Sequence, residues 1–423
     1  KQITKLSQFK NEPMVGKPVA WRAKKKGRMM VLPALPAGRS AAILEALRAN
    51  GGSGTRTEIS RAVGVARATL IEELSELEEL GIVVQSSVVT SAGGRPARTF
   101  SINSSGASVG IIDVGGSRTR VGIANLVGEV VQESLLHVSV EVGPEDVLNW
   151  AVAELQRMQE AFGPQSEPGV IVVGLPGPVD FTTGSVVRPP MMRNWQGFDV
   201  RRFINSSIKA PVIIDNDVNL IAIAEQRISY PRSQVFLVIK LGTGIGGALV
   251  IHERPLRGAN GAAGDIGHTQ SIENREAMCR CGQDGCVEAV AGGWALVQQL
   301  EKQGVRVDSV TDVAKLAKAG NVIALSAVRT ASKVIGQAAA QAVSLLNPDT
   351  LVIAGELLEA GDIVIASIRE TIYQYSLPLA THDLTVKPSA LGPLVGLKGG
   401  AQLGIDYLFG RVDFLQLSST NEK

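Results

Sequence analysis

Cysteine is nearly absent from this sequence. Three residues in 423, Cys279, Cys281 and Cys286, fall within one short window. A secreted disulfide framework spreads its cysteines and pairs them evenly, so the pattern excludes one. Aromatic residues are scarce too, at 4%, which leaves Val, Ile, Leu and Ala to build the cores. An excess of charge of one sign is missing. The formal net charge is +2, so global charge does not identify a partner and the local distribution must be read instead. No apolar run is long enough to span a bilayer uninterrupted, and the start, from Lys1, lacks a signal-peptide core. A soluble cytoplasmic protein with no membrane partner is expected. What is present, 45% apolar and 19% charged residues over 423 positions, is the composition of a globular chain of two or three domains.

Residues 1–37 read as a basic flexible arm. Lys1, Lys5, Lys10, Lys17, Arg22, Lys24, Lys25, Lys26 and Arg28 face a single acid, Glu12. Residues 38–103 read as a compact unit. Ala42, Ile43, Leu44 and Leu47 give a first helix that ends at Asn50-Gly51-Gly52. Thr57 is placed as the cap of a second helix carrying Ile59, Ala62 and Val63 and stopped by Gly64. A third helix runs from about Ala66 through Leu70, Leu74 and Leu77 to Leu80. Two short β runs follow, Ile82 to Val84 and Thr99 to Ile102, around the turn Ser91-Ala92-Gly93-Gly94-Arg95-Pro96. Three helices and a hairpin are the plan of a winged helix-turn-helix.

From Val109 strands alternate with helices, and the sequence echoes itself. Ile111-Ile112-Asp113-Val114-Gly115-Gly116-Ser117 resembles Val238-Ile239-Lys240-Leu241-Gly242-Thr243-Gly244, and each leads into a second strand, Arg120 to Ala124 and Gly247 to Ile251. Two such hairpins predict an α/β fold of two similar lobes facing across a cleft, the actin-like, ribonuclease-H-like architecture of phosphotransferases. The expected units are lobe one, 104–230, to which the C-terminal helix returns; lobe two, 231–410; and a tail, 411–423.

One cluster carries metal chemistry. His268 is followed by Cys279, Cys281 and Cys286. Three thiolates and an imidazole form a closed tetrahedral zinc shell with no open position, hence a structural and not a catalytic zinc. Three buried free cysteines are the alternative.

Over roughly residues 40–410 the chain resembles the ROK family, which joins repressors and sugar kinases. The resemblance is carried by Asp113-Val114-Gly115-Gly116, Gly174-Leu175-Pro176-Gly177-Pro178-Val179-Asp180, Asn194-Trp195 and Asp215-Asn216-Asp217-Val218-Asn219. Further along stand Leu241-Gly242-Thr243-Gly244-Ile245-Gly246-Gly247, Gly264-Asp265-Ile266-Gly267-His268, the cysteine segment through Val287-Glu288, Asn347-Pro348-Asp349 and Ala354-Gly355. It implies a sugar-kinase fold and a sugar site formed by Asn194, Asn216, Asp217, Asp265, His268 and Glu288. Asp217 would be the base of a kinase, because a carboxylate can take the hydroxyl proton during phosphoryl transfer. His268 would bind sugar with one ring nitrogen and zinc with the other. Asp265 stands where the family usually has Glu.

The nucleotide side would comprise Asp113, Gly115, Gly116, Ser117, Gly242, Thr243, Gly244 and Gly355, the glycines letting backbone amides approach phosphate oxygens. The same glycines also suit plain tight turns. Ser117-Arg118 replaces the family's Thr-Lys or Thr-Asn, and Ala354 replaces a Gly. In the head, Arg67 and Thr69 begin the third helix, where base edges are reached. Arg95 and Arg98 flank the wing turn, which matches that of ROK repressors and can enter a minor groove. Glu72, Glu73, Glu76, Glu78 and Glu79 make the rest of that helix acidic, and Ile71-Glu72 replaces the family's Ser-Arg.

The resemblance implies a transcriptional regulator of carbohydrate metabolism, a repressor on double-stranded operator DNA. It would act as a homodimer or homotetramer and answer to a sugar or sugar phosphate. The alternative is an ATP-dependent hexokinase- or glucokinase-like enzyme, using ATP and Mg, that keeps the head. A pure scaffold fits poorly with so many cleft residues.

Overall fold

The structure is a computed structural model, and it describes residues 23–25, 28–30, 38–89, 97–162, 167–180, 184–187 and 192–411. Most of the basic arm and the residues beyond 411 lie outside this set. Within the arm, β1 (Ala23–Lys25) and β2 (Arg28–Met30) pair antiparallel.

The head contains α1 (Arg39–Ala49), α2 (Arg56–Val63) and α3 (Arg67–Glu79) with β3 (Ser53–Thr55), β4 (Val83–Val89) and β5 (Ala97–Ile102) in a sheet of order β3-β5-β4. The helices meet through buried Ile43, Leu44, Leu47, Ile59, Leu70, Leu74 and Leu77. The cap of α2 is Thr55, not Thr57: its hydroxyl accepts from the Glu58 amide while the Glu58 side chain accepts from the Thr55 amide. That reciprocal pair needs an acid three residues after the cap, and Thr55-Arg56-Thr57-Glu58 supplies it only from Thr55. Strand β3 was also unexpected. Three residues carry no periodicity, and pairing with β5 makes them a strand.

The body contains two five-stranded sheets. The first, in order β12-β9-β6-β7-β8, uses β6 (Ser108–Val114), β7 (Thr119–Asn125), β8 (Val130–Leu136), β9 (Val170–Leu175) and β12 (Val212–Asn216); β10 (Val179–Asp180) and β11 (Ser185–Val186) form a small side ladder. The second, in order β15-β14-β13-β16-β17, uses β13 (Val235–Leu241), β14 (Ile245–Ile251), β15 (Arg254–Leu256), β16 (Thr350–Ala354) and β17 (Thr385–Pro388). In each, a central strand pairs antiparallel with the next in sequence and parallel with a later one. Asp113 and Lys240 are the penultimate residues of the two central strands, so the echo in sequence is an equivalence in space.

Helices α4 (Pro144–Phe162) and α5 (Val200–Ser207) follow the first sheet's strands, and α6 (Asp217–Ala224) follows β12. Lobe two adds α7 (Val287–Ala291), α8 (Gly293–Lys302), α9 (Val310–Lys318), α10 (Val322–Leu346), α11 (Asp362–Tyr375) and α12 (Pro378–Thr381), and the chain then returns to the first sheet as α13 (Val395–Leu408). Every residue of α6 is buried. Its Val218, Ile221 and Ala222 pack on Phe236, Val238 and Ala248 of the second sheet, while Leu220 and Ile223 pack in the core that α13 completes against the first. Apart from Asp217 and Asn219 the residues of α6 are apolar on every side, as a position between two sheets demands. That core also contains Ile43, Leu44, Leu47, Val109, Ile111, Leu403 and Phe409, so the head and the first sheet share one apolar interior. Among the described residues no helix is long and apolar enough to cross a membrane.

Candidate functional site

The echoed hairpins and α6 enclose a cleft of about 940 Å³, counted to its open mouth. Asn216 and Asp217 enter it because β12 stops there and α6 begins. Asn216 caps the helix, its Oδ1 accepting from the Val218 amide at 2.8 Å, and its Nδ2 donates to Gly177 O at 2.9 Å. Its side chain is therefore held from both ends. Glu288 arrives from the first turn of α7, is 5% exposed, and is fixed by the Ile245 amide at 2.9 Å and Trp294 Nε1 at 3.2 Å. His268 and Asp265 complete one wall. Asn194 is not among the residues that line this cleft: it is exposed and donates to Glu141 O at 3.3 Å.

Lys240 is the side chain to which the sequence reading gave no role. Its Nζ lies 2.5 Å from Asp217 Oδ2. Burial alone would lower this ammonium, yet the carboxylates of Asp217, Glu356 and Asp113 together hold it above its ordinary value. Burial pushes the Asp113 carboxyl from 3.8 up to about 6, with Lys240 pulling it down and Asp217 adding to the rise. The sequence did contain the signal, a lysine in the otherwise apolar strand Val-Phe-Leu-Val-Ile-Lys-Leu.

A second recess adjoins the first, lined by Asp113, Gly115, Gly116, Ser117, Thr243 and Gly355 among others, with Lys240 shared between the two. Gly242 and Gly244 line the first recess instead. Arg118 Nη2 and Glu356 Oε1, 2.8 Å apart, span the second from one hairpin to the other lobe. The other Glu356 oxygen, which has no hydrogen-bond partner among the described residues, lies 2.8 Å from where a Cβ on Gly242 would stand. A carboxylate over that backbone opposes any phosphate approaching it. A third ion pair joins the lobes, Arg257 Nη2 to Asp215 Oδ2 at 2.6 Å.

Behind His268 lies the cysteine cluster. The four donor atoms of His268, Cys279, Cys281 and Cys286 all fall within 4.8 Å of one another, a group able to hold a metal ion. Cys281 and Cys286 Sγ are 3.7 Å apart, as are Cys279 Sγ and His268 Nδ1. Ligands about 2.3 Å from a tetrahedral zinc are separated by about 3.8 Å, so the edges fit.

In the head, Arg67 is exposed at the start of α3 and Thr69 is half-buried beside it. Arg98 is exposed and donates to Gln85 Oε1 at 3.3 Å. Arg95 lies outside the described residues. Of the acids on α3, Glu73 accepts from Ser40 of α1, which ties one of them inside the head.

A family model described as "ROK family" matches residues 109–406, and one described as "IclR helix-turn-helix domain" matches residues 36–87. The chain belongs to the ROK family. The xylose repressor of Caldicellulosiruptor bescii is 29% identical over 353 residues, 80% of this chain and 88% of that protein. The glucokinase of Halalkalibacterium halodurans is 30% identical over 310 residues, 69% of this chain and 93% of that enzyme. A crystal structure described as a ROK family transcriptional regulator, homolog of the E. coli MLC protein, superposes with a TM-score of 0.75 at 24% identity, covering 88% of this chain and 96% of that one. This likeness shows a shared fold over more of the chain than residues 109–406 alone.

Proposed function

We propose that this ROK protein is a DNA-binding transcriptional repressor whose hold on its operator is set by a sugar bound in the cleft, and that it does not phosphorylate that sugar. The observation that carries the second half is the Lys240–Asp217 pair at 2.5 Å. A base must reach the hydroxyl it deprotonates, and this carboxylate oxygen is already engaged by a resident ammonium. The Arg118–Glu356 bridge supports the same reading, since it lies where nucleotide phosphates would need room. The helix-turn-helix match and the repressor among the relatives support the first half.

In this reading Asn216, Asp217, Glu288 and His268 bind sugar hydroxyls, Asp265 borders them from the more exposed wall, and Arg67 and Thr69 meet DNA, with Arg95 and Arg98 at the wing. His268, Cys279, Cys281 and Cys286 hold a structural zinc that fixes the imidazole, leaving its Nε2 for the cleft. Zinc analysis of the purified chain should give one equivalent, lost together with thermal stability in Cys281→Ser.

The sugar acts only by binding two arrangements of the lobes unequally. In a homodimer or homotetramer such a change re-spaces paired heads against their half-sites. The test is to recover genomic duplexes by immunoprecipitation of the full chain. Their affinity is then measured against a panel of hexoses, pentoses, N-acetylhexosamines and their phosphates, alongside ADP formation with ATP and Mg. One sugar should weaken duplex binding by about tenfold or more, with no sugar-dependent ADP. Sugar-dependent ADP formation without duplex retention would make the protein a kinase.

A further inference from the structure

Asp406, on the last turns of α13, is 1% exposed. A carboxylate at such depth costs several kcal/mol unless it is paired, and it is approached by three guanidinium groups from different parts of the chain. Arg227 Nη2 lies 2.5 Å from its Oδ2, Arg48 Nη1 lies 3.2 Å from its Oδ1, and Arg411 Nη1 stands off at 3.9 Å. Arg48 belongs to α1 of the head. Arg227 belongs to the π-turn Glu225–Ser229 that leads out of α6 toward the second sheet. Arg411 also reaches Glu45 of α1 at 2.8 Å and Glu253, in the turn between β14 and β15, at 3.3 Å. Three acids and three arginines thus join the head, the connection between the lobes, and lobe two.

The other end of this path is the cleft. Asn216 and Asp217 begin α6, and Arg227 follows ten residues later, roughly 15 Å along if the helical rise is kept. The helix has no slack. It is buried throughout, and a Cβ on Gly399 of α13 would stand only 1.8 Å from Leu220 O. The far end is pinned as well, because Glu225 Oε1 accepts from Ser389 Oγ at 2.5 Å and from the amides of Ala390 and Leu391. Residues 389–391 lie on the second connection between the lobes, from β17 to α13, so one carboxylate ties both connections together. π-turns recur at functional sites.

The geometry points to Asp406 as the positioning residue that couples the cleft to the head: its carboxylate gathers Arg227 from the end of the sugar-binding helix and Arg48 from the DNA-binding unit. A displacement of α6 shifts Arg227, and Asp406 then redistributes its contacts among Arg227, Arg48 and Arg411. The node has an alternative arrangement within reach. Arg411 stands just outside hydrogen-bond range, and Arg227 Nη1 is buried without a hydrogen-bond partner among the described residues. Burial lowers the Arg48 guanidinium from its ordinary value, with Asp406 opposing, and it stays charged. The shared apolar core holds the head to the body non-directionally, whereas the charge-assisted bonds set its angle.

This coupling rests on the sugar-responsive reading above. The test uses the full chain, a recovered duplex and the sugar that releases it, with Asp406→Asn and, should that variant fold poorly, Arg48→Gln at the better exposed end. Two factors are measured: how far sugar weakens duplex binding, and how far duplex weakens sugar binding. Linkage requires the two to be equal. We expect both to fall together by about fivefold or more, while sugar affinity without DNA stays within about twofold. A merely structural role would lower the melting temperature and leave the factors unchanged, and that result in both variants overturns the proposal. A parent chain whose duplex affinity no sugar alters overturns the sugar-responsive reading itself, and the coupling with it.

Discussion

The two central strands of the body occupy equivalent places in their sheets, and they carry opposite charges near their ends. Asp113 is the penultimate residue of β6 and Lys240 that of β13. The acid is pushed up to about 6 by its burial, whereas the lysine is held charged by Asp217, Glu356 and Asp113. Repeated architecture therefore does not mean repeated chemistry. One fold unit supplies a buried carboxylate to the cleft, and its counterpart supplies a cation that pairs with Asp217. Of the two recesses made this way, the one lined by Asn216, Asp217, His268 and Glu288 stays open, while the one lined by Asp113 and Gly355 is crossed by the Arg118–Glu356 ion pair.

The harshest way to break this asymmetry is Lys240→Met. It leaves Asp217, 4% exposed, without its counter-charge and close to Asp113. Removing one partner of a buried pair costs about 3–5 kcal/mol, so denaturant unfolding at neutral pH should show a loss near that size. The loss should shrink as the solution is acidified and the stranded carboxylate takes a proton.

A smaller effect is expected from Asp113→Asn. The folded carboxyl sits at about 6 against an ordinary 3.8, so between those values the folded state binds more protons than the unfolded one. Stability attributable to this group therefore falls as pH rises from 3.8 to 6, and the penalty is fully present above that window. The asparagine variant should be the more stable protein at pH 7 and should lack this slope. Identical pH profiles of melting temperature for parent and variant would show that Asp113 ionises freely.

The mildest change is Arg118→Gln. Its guanidinium is 39% exposed, and pairs of this kind contribute about 0–1 kcal/mol, so stability should scarcely move. Its use is to sharpen the comparison, because it frees Glu356 and leaves Lys240–Asp217 intact. Sugar-dependent ADP formation should stay at background in this variant, as measured by a coupled assay. Turnover there would mean that the lysine does not restrain the base.

Much of this was legible in the sequence because it is local. The cysteine spacing brought four donors together, the Gly-rich echo marked two hairpins, and the leucines of α3 marked its buried face. Even the cap of α2 was legible: Glu58 selects Thr55 over Thr57 by the three-residue reach of a capping box. What was missed involves partners distant in sequence. Asn194 adjoins Trp195 in the family motif, but its amide turns to the Glu141 carbonyl. Lys240 stood out as a charge in an apolar strand, yet nothing in the strand named Asp217 as its partner.

The sequence by itself determined most of the elements, the two Gly-rich hairpins and the Cys/His cluster, because periodicity, glycine turns and ligand spacing act within a few residues. Only the tertiary structure decided how the charges pair. Lys240 meets Asp217 across 23 positions, Arg118 meets Glu356 and Arg48 meets Asp406 from opposite ends of the chain. Coulomb attraction depends on distance in space and on burial, and neither exists until the sheets have packed around α6.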